Sequence, residues 1–259
     1  MTFELLIIFV FGLSIGSFVN VCIYRLPLNK NINKPSSCTF CRNKIKYFDN
    51  IPLISFLILK GKCRNCKKNI SIQYPFIELL ICFTAVIIYL KFDFTIVAIF
   101  SFLFVVSLII IIFTDYQHFI IPNEITYSFI TLGILVSLTN YSIIDLSIYE
   151  CLIGGLVSGL ILFISSKIFF YIKKIEGMGM GDIKMIAMIG FWLGLSNTIF
   201  IIILSAFFGS IVGLLLIFIK KMKRYDHIPY GTFIGLTTIL IWSLNIFLEF
   251  DFNNLLIKY

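Results

Sequence analysis

Long apolar runs separated by short polar breaks dominate the chain, and they predict an all-α polytopic membrane protein. Runs of spanning or near-spanning length fall at about 3–23, 72–90, 94–113, 119–139, 148–171, 183–194, 197–219 and 229–250. The expectation is about eight transmembrane helices. The sixth run is short for a hydrocarbon core about 30 Å thick and reads as tilted, recessed or partly re-entrant. One polar stretch breaks the rhythm, from Arg25 to about Ser71, and reads as a small soluble module between the first two spans. The expected organisation is a first transmembrane span at 1–23, a loop at 24–71 and a transmembrane remainder at 72–259. The chain shows no internal repeat and no low-complexity tract.

Composition agrees with this pattern. The 259 residues are 59% hydrophobic and 13% charged, with 29 Phe and a mean hydropathy of +1.02. No soluble domain of this size needs so much apolar surface. The first run does not read as a cleaved secretory signal. Glu4 is the only charge before Arg25, and no small-x-small site closes the run, so an uncleaved span with its N-terminus outside is expected.

The net charge of +8 raises the question of nucleic acid, and the distribution answers it. Eleven Lys/Arg lie between Arg25 and Lys68, joined by Lys167, Lys173, Lys174, Lys184, Lys220, Lys221, Lys223 and Arg224; only Lys91 and Lys258 stand apart. Eight alternating spans put 24–71, 114–118, 172–182 and 220–228 in the cytosol. The outer loops carry Asp93, Asp145 and Asp251. This is the positive-inside pattern, so topology explains the basicity and no nucleic-acid partner is expected. The lipid bilayer is the partner, with anionic headgroups close to the basic loop.

Three groups of residues carry candidate chemistry. Cys38-x-x-Cys41 and Cys63-x-x-Cys66 are paired knuckles whose four thiolates can complete a tetrahedron, the pattern of a zinc ribbon. Two disulfides are the rival reading, disfavoured in a cytosolic loop. So short a loop has little core, and metal binding would supply much of its folding free energy. Cys22, Cys82 and Cys151 sit in apolar runs and read as packing residues. The second group is Gly177-Met178-Gly179-Met180-Gly181-Asp182-Ile183-Lys184, where glycines leave a carboxylate open to close approach beside hydrocarbon. The third is Asp115, at the end of the third run and at the same predicted membrane boundary. Two carboxylates brought within a few ångströms can activate a water between them. Lys184 would favour the charged form of Asp182 or meet an acidic substrate residue. Glu78, about one turn inside the second run, is an ionisable candidate or a cap or Lys partner. Asn20 reads as part of a packing stripe with Gly12. His118 and His227 read as interfacial polar residues, and no GxSxG, Walker, HExxH or dinucleotide motif is present.

Taken together, these residues resemble the prepilin peptidase family, the type IV leader peptidases. The resemblance rests on GSFVNVCIYRLP at 16–27, CTFC at 38–41, YFDNIPLISFLILKGKCRNC at 47–66 and YPFIELL at 74–80. It continues with Asp115 and IPN at 121–123, EGMGMGDIK at 176–184 and IPYGTF at 228–233. It implies an enzyme of the cytoplasmic (inner) membrane, multi-pass, with its active site facing the cytosol. Such enzymes cut the basic leader of prepilins and pseudopilins after glycine and N-methylate the new N-terminus with S-adenosylmethionine. The family's catalytic aspartates correspond to Asp115 and Asp182, its GxGD motif to Gly179–Asp182, and its cysteine pairs to Cys38, Cys41, Cys63 and Cys66 in a methyltransferase-associated loop. The remainder at 72–259 would then be the aspartyl peptidase domain.

Asn123 stands where many relatives have Asp, and Thr232 where Pro is common. Both are expected to stand clear of the aspartate pair. Presenilin-like proteases share GxGD but pair it with Tyr-Asp, whereas Asp115-Tyr116 has the reverse order. A proton-coupled transporter predicts carboxylates near mid-membrane with broken helices around them. A zinc-ribbon membrane scaffold leaves the GxGD stretch without a purpose.

Overall fold

The computed structural model describes residues 2–139, 141–144, 146–174, 177–220 and 227–248. Asp145, Glu176, Lys221, Lys223, Arg224, Asp251 and Lys258, used in the charge and motif reading, lie outside the described residues. The helices are α1 (Thr2–Arg25), α2 (Ile54–Ile58), α3 (Gln73–Phe92), α4 (Ile96–His118), α5 (Asn123–Ser137), α6 (Ile148–Lys173), α7 (Met180–Phe218) and α8 (Tyr230–Leu248). Among the described residues the only β structure is two isolated bridges.

All eight apolar runs are helical, but the chain divides them differently. Among the described residues six helices are long and apolar enough to cross a membrane: α1 with its extension to Leu28, α3, α4, α6, α7 and α8. The fourth run is only the 15-residue α5, because Phe119 turns left-handed (φ 55) to end α4 and Pro122, lacking an amide donor, opens α5. The sixth and seventh runs form one helix broken at Gly194 (φ 75, ψ 174). The arm from Met180 to this break is about 21 Å long, so the shortness of the sixth run has a structural cause. Asn197 Nδ2 donates to the Leu193 carbonyl and Thr198 Oγ1 to that of Gly194, which keeps polar backbone at the break satisfied without water.

The chain forms two compact units, Met1–Val106 and Ser107–Tyr259, divided within α4. In the first, α1 and α3 pack antiparallel along small and polar residues. A Cβ at Gly12 would lie 2.7 Å from Cys82 Cα and one at Gly16 2.6 Å from Glu78 Cα. One turn on, Asn20 Nδ2 donates to the Tyr74 carbonyl at 3.0 Å. Close backbone approach through glycine is how helices associate where lipid removes the hydrophobic drive. In the second unit Gly154 and Gly190 bring α6 and α7 into backbone contact, Gly155 lies against the Phe191 ring, and Trp192 Nε1 donates to the Phe129 carbonyl of α5. A capping box of Ser147 and Glu150 starts α6.

Candidate active site and candidate metal centre

Asp115 reaches its place because α4 runs apolar almost to its end. The residue is 5% exposed. Its Oδ2 accepts from the Thr232 amide at 2.7 Å and from the Thr232 hydroxyl at 3.1 Å. The first turn of α8 therefore presents both donors to one oxygen, with the positive end of the helix dipole behind them. Gly231 makes this possible: a Cβ there would lie 3.1 Å from Asp115 Cγ and 2.7 Å from Ile121 Cδ1. The expectation that Thr232 stands clear of the carboxylates is overturned, since Thr232 is the direct partner of Asp115. Sequence reading missed it because 117 positions separate the two residues.

Asp182 sits three residues after Gly179, the N-cap of α7, and so at another helix N-terminus. Its carboxylate folds back over Gly179, where a Cβ would meet Oδ2 at 3.3 Å. Gly181 packs on Ile121, its Cβ position 3.2 Å from that of Ile121. One isoleucine thus lies against both Gly181, beside Asp182, and Gly231, beside Asp115. The Tyr230 hydroxyl lies 2.9 Å from Ser205 Oγ. The break at Gly194 lies about 18 Å along α7 from Asp182, which is not the broken-helix cradle a transporter predicts.

Lys184 turns elsewhere. Its ammonium donates to Asn123 Oδ1 at 2.9 Å and lies 5.1 Å from the Tyr127 ring centroid, rather than bonding Asp182. Asn123 accordingly serves Lys184. His227 is exposed and His118 half-buried.

The second site lies in the first unit. Cys38, Cys41, Cys63 and Cys66 offer sulfurs all within 4.8 Å of one another, a group that can hold one metal ion. All seven cysteines are free thiols, so the four meet without disulfides. Each knuckle repeats the other 25 positions on. The Cys38 amide donates to the Asn43 carbonyl and Cys63 to Lys68, while Arg42 donates to the Cys38 carbonyl and Lys67 to Cys63. Arg42 and Lys67 share φ 59, and bridges Ser37–Lys44 and Lys62–Asn69 close the two hairpins. This duplication contradicts the absence of repeats read from the sequence; outside the cysteines, little but backbone geometry is repeated. The Cys41 amide, followed by that of Phe40, holds the Cys38 thiol down to about 6 against the opposing effect of burial.

Glu78 is 7% exposed and its Oε2 accepts from the Leu53 amide at 2.8 Å. It ties the loop to α3 at a strained residue, since Leu53 has φ 59. Neither α2 nor α3 has a side-chain cap, and among the described residues no cation pairs with Glu78.

A buried Asp115 and a half-buried Asp182, each beside a helix N-terminus in a multi-pass helical protein, are consistent with the class of membrane aspartyl hydrolases built on GxGD. The comparisons give the family. Residues 10–92 match the bacterial peptidase A24 N-terminal domain and residues 102–214 the type IV leader peptidase family. The chain is 30% identical to the prepilin leader peptidase/N-methyltransferase of Legionella pneumophila, over 92% of this chain and 90% of that protein. It is 34% identical to the protein of the same name from Vibrio cholerae serotype O1, over 93% and 98%, and 28% identical to that of Aeromonas hydrophila, over 92% and 90%. No solved structure matches the chain. The chain belongs to the type IV leader peptidase family and is an enzyme of that family, as its motifs anticipated.

Proposed function

We propose that this enzyme removes the basic leader from type IV prepilins or pseudopilins after a glycine and N-methylates the new N-terminus. The convergence of Asp115 and Asp182 on one glycine-backed spot carries the peptidase half. Their roles follow from the reaction. One carboxylate takes a proton from a water as its oxygen attacks the scissile carbonyl; the other gives a proton to the departing amine as the C–N bond breaks. No covalent intermediate is needed. Thr232 positions Asp115. Gly179 leaves the Asp182 carboxylate open to an extended peptide, while Gly181 and Gly231 let Ile121 pack beside both carboxylates. Lys184 and Asn123 brace the start of α7 against α5.

For the other half, we assign Cys38, Cys41, Cys63 and Cys66 to a structural zinc ion. Sulfurs about 2.3 Å from a tetrahedral zinc lie about 3.8 Å apart, and Cys38 and Cys66 Sγ are 3.8 Å apart. The zinc-bound loop at 24–71 is the methyltransferase-associated module, and S-adenosylmethionine supplies the methyl group. The remainder at 72–259 is the peptidase domain. The positive-inside charge pattern supports a multi-pass protein of the cytoplasmic membrane with its aspartates and basic loop on the cytosolic side.

Co-expression with a prepilin and mass spectrometry of the product tests both halves. Leader loss with a methyl increment is expected. Cleavage retained in a membrane-inserted Asp115→Asn or Asp182→Asn protein would overturn the mechanism. Leader loss without methylation would remove the second half alone.

A further inference from the structure

The first unit holds a half-open cavity of about 1320 Å³ between the cysteine loop and the ends of α1 and α3. Small-molecule pockets run to about 300–1,000 Å³, so there is room here for a ligand and the end of a second reactant. Its walls include Asn20, Arg25, Phe40, Phe56, Tyr74 and Glu78. Two of these are buried ionisable groups, one basic and one acidic. Arg25, 9% exposed, donates to the carbonyls of Asn31, Ile32, Lys34 and Pro35, and no carboxylate pairs with it among the described residues. Glu78 likewise has only the Leu53 amide and the nearby Ser17. The cavity's other carboxylate, Asp49, is held by Arg64. An otherwise basic wall therefore contains one buried carboxyl without a counter-ion, a group that a bound cation would hold in its charged form.

S-adenosylmethionine fits these walls chemically. It carries a sulfonium cation, an amino-acid carboxylate and an aromatic base, which Glu78, the lining Lys30 and Lys34, and the rings of Phe40, Phe56 and Tyr74 can meet. We propose that this cavity binds S-adenosylmethionine, with Glu78 facing the sulfonium, so that methyl transfer occurs beneath the cysteine loop. The proposal rests on the methyltransferase reading above. In the transfer the free N-terminal amine attacks the methyl carbon. The N–C bond forms as the C–S bond breaks with its electron pair going to sulfur, and the resulting ammonium releases its proton to solvent.

The test uses the full-length zinc-loaded protein in detergent, with calorimetry of S-adenosylmethionine and of S-adenosylhomocysteine, which lacks the sulfonium charge. Glu78→Gln is expected to weaken the first ligand about thirtyfold, the cost of unpairing a buried charge, and the second far less. Ser36→Trp, which narrows the cavity at its lining, is expected to weaken both. Metal content and thermal unfolding check that each variant is folded. Ultraviolet crosslinking of radiolabelled S-adenosylmethionine to the unaltered protein should mark peptides bearing Phe40 or Tyr74, and this arm does not depend on any variant folding. Unchanged binding in both folded variants, equal loss of the two ligands in Glu78→Gln, or an adduct in the second unit would overturn the proposal. If the unaltered protein methylates its product, any of these results leaves the proposed function standing. If it neither binds the donor nor methylates, both readings fall.

Discussion

The cysteine loop and the aspartate pair are built by opposite means. From Leu28 to Phe76 no residue is buried, so the loop has no apolar core and its knuckles are held by short-range backbone bonds around four sulfurs. The aspartates stand on long helices, with Ile111, Ile112, Met185, Ile186 and Ile234 buried around them, and their geometry needs no added ion. The metal must do for the loop what helix packing does for the carboxylates. The loop should therefore respond to its metal as a folding unit, whereas the aspartate site should respond to single atoms.

The sharpest break in that comparison comes from Asp115→Asn and Asp182→Asn. Each should lower cleavage by about 10²–10⁴-fold, the range for a lost acid–base group, with zinc content and thermal unfolding nearly unchanged. Cleavage rate against metal content in one purified sample separates the two. Loss of zinc in either variant would show that the regions are not independently built.

Chelation, or Cys38→Ser with Cys63→Ser, is the reciprocal experiment. Structural zinc contributes about 10–16 kcal/mol in small zinc-finger peptides, more than a loop without a core can replace. Limited proteolysis should open the loop between Arg25 and Ser71, and product methylation should vanish while leader cleavage persists. Equal loss of both activities would mean that the peptidase half depends on the loop.

What could be read from the residue order follows the same division. The knuckles were legible because a metal site of this kind is local: two ligands three residues apart, twice. Their 25-residue duplication was not, since it lies in backbone bonds and in left-handed Arg42 and Lys67 rather than in matching side chains. Asp182 was legible as a carboxylate among glycines at a hydrocarbon edge, and the resemblance paired it with Asp115. Thr232 was not, because its amide donates, and any residue but proline has one. The break in α7 falls where the sixth and seventh runs divide; that the two arms join as one helix was not legible, because a glycine in an apolar run gives no sign of its φ. Glu78 was marked by its depth in an apolar helix, but its bond to Leu53 needed the loop to fold first.

Thr232→Val sharpens the comparison at a single atom. It removes the hydroxyl bond to Asp115 Oδ2 and keeps the amide bond. A hydrogen bond to a charged group is worth about 1.5–3 kcal/mol, so cleavage should slow by about ten- to a hundredfold. Thr232→Ser should restore it, and methylation of a pre-cleaved peptide should not change. A valine variant with full cleavage would show that the amide alone holds Asp115.

The smallest effect is expected in the loop, at Asp49 and Arg64. Arg64 Nε and one terminal nitrogen bind both carboxylate oxygens at 2.6–3.1 Å, tying the turn Tyr47–Asn50 to the second knuckle. The Arg64 guanidinium beside it holds the Asp49 carboxyl below the usual aspartate value, with burial opposing. A carboxylate with a depressed pKa contributes stability that is complete above its unfolded-state value and disappears as pH falls through its folded-state value. Acid also protonates the thiolates and releases the metal, so the pH profile of the unaltered protein cannot isolate the pair. The difference from Asp49→Asn can. Resistance of the zinc-loaded loop to proteolysis should be modestly lower in the variant at neutral pH, by an amount that holds steady down to the ordinary aspartate range and closes below it. The gap should be small because the guanidinium is solvent-exposed and such pairs are weak. A gap as large as that caused by chelation would mean that side-chain contacts rather than metal build the loop, and the contrast with the aspartate site would fail.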